Sequence, residues 1–197
     1  DQCRQIWQDS RNIEFPIAYK DCKNIILCGM GGSAYGGYIV SSLFKDKLKI
    51  PLLVNNDYQL PGFAGTDSLI LLSSYSGSTE EVLSCLQKAR EKNCKISGIT
   101  GGGKLGDFLE NENIPALIFN PKFNPSGQPR LGTGYMVLGV IALMNRVGVI
   151  EVFEKEVLEA VTELEKDLEN IKLKAKSLAD EMKNYIQSSS EYRGYVI

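Results

Sequence analysis

Five short apolar runs recur along the first two-thirds of the chain, mostly separated by stretches of helical period, and this alternation restricts the fold more than any other feature. The runs lie near Ile25–Cys28, Leu52–Val54, Leu69–Ser73, Lys95–Ile99 and Ala116–Phe119. Helical patterns fall at about Ala34–Leu48, Thr79–Lys92 and Leu105–Glu112, and an apolar helix at Thr133–Val147 closes the unit. Strands joined by helices pair in parallel, because a parallel connection has to cross the sheet. The expected fold is α/β, a three-layer αβα arrangement around a doubly wound five-stranded parallel sheet of flavodoxin-like or half-Rossmann type. In such a sheet the ligand crevice lies at the carboxyl ends of the strands.

Beyond Glu156 the pattern changes. Val157, Val161, Leu164, Leu168, Ile171, Ala175, Leu178, Met182 and Tyr185 recur at alternating spacings of four and three, a heptad stripe separated by Glu and Lys. Two readings are open: a dimerising coiled coil, or one long or two consecutive amphipathic helices, with Asn170 marking a break. The pattern fades at Ser188-Ser189-Ser190, and Tyr195-Val196-Ile197 suits the first strand of another domain. The expected segments are 1–23 helical, 24–150 the α/β domain, 151–190 amphipathic helix and 191–197 the start of a truncated second domain. A first residue Asp1 and a last run GYVI make both ends read as cut.

Composition then removes function classes. Lys and Arg number 22 against 24 Asp and Glu, a formal charge of −2, so no global field recruits nucleic acid or an anionic membrane. Any bound anion needs a local site. Histidine is absent, which excludes Ser-His-Asp and Cys-His catalysis and most catalytic zinc sites within this chain. The five cysteines form no CxxC pair and no stretch resembles a signal peptide or membrane span, so reduced thiols in a cytoplasmic protein are expected.

Two strand-to-helix turns hold the chemistry. Gly29-Met30-Gly31-Gly32-Ser33-Ala34 fits GxGxxA after a strand and before a helix, where glycines let the backbone approach an anion. Asp57, late after the second strand, is the one candidate for holding a dinucleotide ribose. The second turn, Ser73-Ser74-Tyr75-Ser76-Gly77-Ser78-Thr79-Glu80-Glu81, offers five Ser and Thr hydroxyls in seven residues. Ser78 and Glu81 have capping-box spacing, yet a cap needs a single hydroxyl. That density suits a phosphate dianion, and the absence of Lys and Arg from both loops argues against a Walker-type site.

Met30-Gly31-Gly32-Ser33 followed by Ser74-Tyr75-Ser76-Gly77-Ser78-Thr79-Glu80-Glu81 resembles the sugar isomerase (SIS) domain. Asn56-Asp57-Tyr58-Gln59-Leu60-Pro61 and Pro125-Ser126-Gly127-Gln128-Pro129-Arg130 narrow the resemblance to the N-terminal portion of bifunctional phosphoglucose/phosphomannose isomerases. The resemblance implies Ser74, Ser76 and Thr79 as phosphate ligands, with Gly31, Gly32 and Ser33 contacting the sugar or its phosphate from the other side. Arg130 would reach the reacting carbons, where a fixed positive charge stabilises an enediolate. Implied too are a hexose 6-phosphate substrate, aldose–ketose isomerisation, no cofactor or metal, and a homodimer. Glu80 and Glu81 are expected to face away from a bound phosphate.

The sequence departs from the family's MGGSG and SYSGNT at Ala34 and Ser78, which bear on loop shape more than on ligands. The family's carboxylate base, histidine and lysine stand in its second half, so this chain alone is expected to hold a phosphosugar without turning it over. The alternatives are a stand-alone phosphosugar-sensing module and a dinucleotide-dependent oxidoreductase domain.

Overall fold

The computed structural model describes the backbone of residues 1–192 and the side chains of residues 1–185. The strand expected at Tyr195-Val196-Ile197 lies outside the described residues. Two compact units are present, Asp1–Val152 and Phe153–Ile197.

In the first unit, β1 (Asn24–Gly29), β2 (Leu52–Asn55), β3 (Ser68–Ser74), β4 (Lys95–Thr100) and β5 (Ala116–Ile118) form one sheet in the order β2-β1-β3-β4-β5. Every pairing is parallel. The helices are α1 (Gln2–Asp9), α2 (Tyr35–Leu43), α3 (Glu80–Glu91), α4 (Gly103–Asn111) and α5 (Thr133–Val147). This is the doubly wound fold that the alternation of runs implies.

Strand residues alternate between the two faces. Ile26, Cys28, Ile70, Leu72 and Ile96 form one core with Val82 and Leu86 of α3 and Leu105 and Leu109 of α4. Leu69 and Leu71 point the other way and border a small void with Leu143, Met144 and Val147 of α5. With both faces covered the strands carry little polarity, as parallel sheets require. Each fully buried aliphatic side chain contributes roughly 1.5–3 kcal/mol.

The helical bounds differ in places from the sequence pattern. α2 ends at Leu43 because Phe44 leaves helical geometry (φ −111°, ψ 15°) and Lys45-Asp46-Lys47 present only exposed polar groups. The N–H groups of Lys47 and Leu48 then both turn back to the Phe44 carbonyl. α4 starts at Gly103, two residues before the expected Leu105.

The second unit holds α6 (Glu154–Lys166) and α7 (Leu168–Tyr192), so the heptad segment is two helices. Their break falls at Asp167, not at Asn170, whose amide instead donates to the Asp167 carboxylate at 2.9 Å. Leu164, Leu168, Ile171, Leu178, Met182 and Tyr185 of the stripe are exposed. The exposed pairs Lys155–Glu159, Lys166–Glu163 and Lys172–Glu169 each contribute a few tenths of a kcal/mol, about 0.3–0.5. Among the described residues no helix is long and apolar enough to cross a membrane.

Candidate functional site

The strand order fixes where a ligand crevice opens. α2 carries the chain from β1 outward to β2, and the chain then returns to β3 on the other side of β1. β1 and β3 are therefore neighbours whose following loops diverge, the switch point of a doubly wound sheet. Gly29 at the end of β1 is in register with Ser73 near the end of β3. The two loops singled out in the sequence leave the sheet side by side.

Hydrogen bonds join them. Ser73 Oγ donates to the Ser33 carbonyl at 2.6 Å, and the Tyr75 N–H donates to Ser33 Oγ at 3.2 Å. Ser33 thus presents its hydroxyl between the loops, half-buried, while Gly31 and Gly32 stand exposed at the start of a 3-10 turn, Gly31–Ala34. The first N–H groups of such a turn have no partner within it.

The serine loop is ordered from inside. Ser74, fully buried, pairs its hydroxyl with that of Thr79 at 2.8 Å and accepts the Gly77 N–H at 3.1 Å. Ser76 and Ser78 are exposed, and Thr79 is half-buried. The capping-box expectation fails here: α3 begins at Glu80 with Thr79 as N-cap, and no side-chain hydrogen bond caps it. Thr79 Oγ1 is engaged by Ser74 instead, so the first amides of α3 face the loop without a side-chain acceptor. A helix N-terminus in that state favours an anion.

A third loop, which sequence reasoning passed over, closes behind the second. Gly101-Gly102-Gly103 follows β4, with the Gly101 N–H on the Tyr75 carbonyl at 3.0 Å and the Leu105 N–H on the Gly77 carbonyl at 2.9 Å. Its triple glycine was the available signal: a Cβ on Gly101 or Gly103 would lie 3.0 Å or 2.4 Å from the Tyr75 or Ser76 carbonyl oxygen, and Gly102 takes φ 131°. On the other flank the Asn56 amide donates to the Gly29 carbonyl and accepts from the Tyr38 hydroxyl. The Asp57 carboxylate is occupied by the Gln59 N–H at 3.1 Å.

Glu80 and Glu81 approach the exposed Tyr58 phenol on the β2–β3 loop. The Glu81 carboxylate, more than Glu80, holds the Tyr58 hydroxyl above the usual tyrosine range. Behind the same loop Cys85 is buried in contact with Cys28, which hydrogen-bonds it and holds its thiol below the ordinary range, aided by the Asn55 amide at 3.5 Å. Contact with Cys85 and burial push Cys28 up. Among the described residues no cluster of three His, Cys, Asp or Glu has metal-binding geometry.

Arg130 sits in the 3-10 turn Pro129–Leu131 ahead of α5, exposed, with no side-chain hydrogen bond or ion pair among the described residues. Its turn is tied to the serine loop through Tyr75, whose hydroxyl accepts from Asn124 Nδ2 at 2.7 Å. α1 holds the other side: Gln2 Nε2 donates to the Leu131 carbonyl at 2.7 Å and Gln5 Nε2 to the Asn120 carbonyl at 2.8 Å. Asn124 escaped the sequence reading although Asn-Pro-Ser announces a side-chain-supported turn.

A parallel sheet in 2-1-3-4-5 order, with a glycine turn and a hydroxyl-rich loop at its switch point, is a flavodoxin-like arrangement of which the SIS fold is one form. A solved structure with this architecture is the C-terminal domain of glucosamine-fructose-6-phosphate aminotransferase from Francisella tularensis, superimposing with a TM-score of 0.58 at 16% identity over 93% of this chain and 56% of that one. No family model matches the chain. The bifunctional phosphoglucose/phosphomannose isomerase of Caldicellulosiruptor bescii is 37% identical over 162 residues, 82% of this chain and 46% of the relative. The enzyme of the same name from Aquifex aeolicus is 34% identical over 165 residues, covering 83% and 48%. Over most of its length the chain is similar to bifunctional phosphoglucose/phosphomannose isomerases, and it spans about half the length of the curated relatives it matches.

Proposed function

We propose that this chain binds a hexose 6-phosphate between its two switch-point loops and supplies that half of an aldose–ketose isomerase interconverting glucose or mannose 6-phosphate with fructose 6-phosphate. In this reading Ser74, Ser76 and Thr79 hold the phosphate, together with the first amides of α3. Gly31, Gly32 and Ser33 line the opposite wall. One observation carries it: Ser33 is bonded to both Ser73 and Tyr75, so the glycine turn and the serine loop are tied side by side as the two walls of one crevice rich in donors. Such a crevice suits a dianion held without a neighbouring cation.

Arg130 is the group for the reacting end of the sugar. Moving a proton between C1 and C2 passes through an enediolate, and a guanidinium lowers the energy of that anion more than that of the neutral sugar. The base that shuttles the proton is not among these groups. Glu80 and Glu81 are turned to Tyr58, and the chain has no histidine. Turnover by this chain alone is therefore not expected, and the relatives' greater length accommodates the missing acid–base groups. The family resemblance carries a homodimer with it.

A dinucleotide reading is weaker, because Asp57 is engaged in its own turn with Gln59. Calorimetric titration with fructose 6-phosphate, free fructose and NAD separates the cases. Heat from the phosphosugar alone supports the proposal. Heat from NAD would show that the glycine turn serves a dinucleotide.

A further inference from the structure

We propose that Tyr75 and Asn124 form a positioning pair that sets the Arg130 turn relative to the phosphate-holding loop. This rests on the phosphosugar reading of the site and adds to it the device that keeps its two ends in register. Tyr75 directly follows Ser74 and is buried, with its N–H on Ser33 Oγ and its carbonyl taking the Gly101 N–H. Its backbone is therefore fixed in the centre of the site. The ring runs toward the 120–132 loop, edge-on to Phe119 at 5.7 Å between centroids.

Asn124 receives it there. This buried side chain spends one amide hydrogen on the Tyr75 hydroxyl at 2.7 Å and the other on the Gln128 carbonyl at 2.8 Å, while its Oδ1 accepts from Ser126 Oγ at 2.7 Å. The Gln128 carbonyl also takes the Leu131 N–H at 3.0 Å, closing the turn that carries Arg130. The far end of the turn rests on the same ring. A Cβ built on Gly132 would lie 2.2 Å from Tyr75 Cε2, so only glycine fits against that edge. Tyr75 thus grips the Arg130 turn at both ends, through Asn124 at one and through Gly132 at the other.

A hexose 6-phosphate presents its phosphate at one end and its reacting carbons at the other. A ligand held by both ends senses the spacing between serine loop and arginine, whereas inorganic phosphate senses only the loop. Removing the tyrosine hydroxyl should therefore separate the two ligands.

The experiment compares Tyr75→Phe, Arg130→Ala and the double variant by calorimetry with fructose 6-phosphate and with inorganic phosphate. Tyr75→Phe keeps the ring against Gly132 and loses only the bond to Asn124. The expected result is a phosphosugar affinity about three- to tenfold weaker, the worth of one neutral hydrogen bond, with phosphate affinity unchanged. The double variant should bind no worse than Arg130→Ala, because the tyrosine acts through the arginine. Asn124→Ala should repeat the pattern. Equal weakening of both ligands, unchanged phosphosugar affinity, or additive losses would overturn the pair as a positioning device. If the unaltered chain binds neither ligand, the reading of the site fails. Amide exchange at Leu131 and Gly132, which needs no ligand, then decides the grip by itself: faster exchange in Tyr75→Phe sustains it, and unchanged exchange overturns it.

Discussion

The hydroxyls of Ser74 and Thr79 lie 2.8 Å apart, the first fully buried at the end of β3 and the second at the entrance of α3. This contact turns a flexible run of small residues into a fixed arc. It also diverts Thr79 from capping its own helix, which leaves the first helix amides without a side-chain acceptor.

Breaking that contact should cost both stability and binding. Thr79→Val keeps the side-chain shape but leaves the Ser74 hydroxyl with the Gly77 N–H alone, and we expect a loss of about 1 kcal/mol in urea unfolding. Ser76→Ala, at an exposed position, should shift stability by less than about 0.5 kcal/mol. Together they should abolish fructose 6-phosphate binding while the circular dichroism of the folded chain is retained. Unaltered affinity in the double variant would remove Ser74–Thr79 as the phosphate site.

The glycines of the two loops should differ sharply in tolerance. Both Gly77 (φ 66°) and Gly31 (φ 52°) have left-handed backbones, but a Cβ on Gly77 would stand 1.7 Å from the Gly102 carbonyl oxygen, whereas one on Gly31 meets nothing within 4 Å. Gly31→Ala should cost about 1 kcal/mol, the conformational term alone. Gly77→Ala forces the second and third loops apart and should cost more than about 3 kcal/mol. Denaturant midpoints for the two variants check the order.

Arg130→Ala should leave the melting temperature unchanged, since the guanidinium is exposed and bonds to nothing among the described residues. Its effect belongs to the ligand. We expect fructose 6-phosphate to bind less than about tenfold more weakly, because an arginine in the role proposed for it, beside the enediolate, would act chiefly on the transition state. A drop in melting temperature of several degrees would assign it a structural role instead.

Thiol chemistry should follow burial. Cys3 and Cys94 are half-buried while Cys22, Cys28 and Cys85 are buried, so a disulfide reagent should titrate two thiols in the native chain and all five in denaturant. Desolvation raises Cys3, Cys22 and Cys94 above the ordinary thiol value of 9.0. The folded state then holds protons that the unfolded chain releases, so this contribution is complete below pH 9.0 and is lost as pH rises through the raised values. Cys85, lowered, opposes them. Urea midpoints should fall from pH 8 to pH 10, and a flat profile would show that the buried thiols titrate normally.

The sequence by itself determined the elements: strand and helix order, the run Thr133–Val147 to the residue, and the two strand-to-helix turns proposed to hold the phosphate. Those signals are local, because period and turn chemistry act over a few residues. Where locality misled, a nearby competitor won. Ser78 has capping-box spacing, yet Thr79 is the N-cap of α3 and its hydroxyl is held by Ser74 five residues back; Asn170 suggested a helix break, yet Asp167 makes it. Only the tertiary structure decided that Gly29 lies beside Ser73, that Ser33 locks the two loops together, and that Tyr75 reaches 49 residues along the chain to Asn124 and so to the turn of Arg130. Such pairings depend on which strands become neighbours and on single side chains meeting in a close-packed interior, and no window of sequence contains both partners.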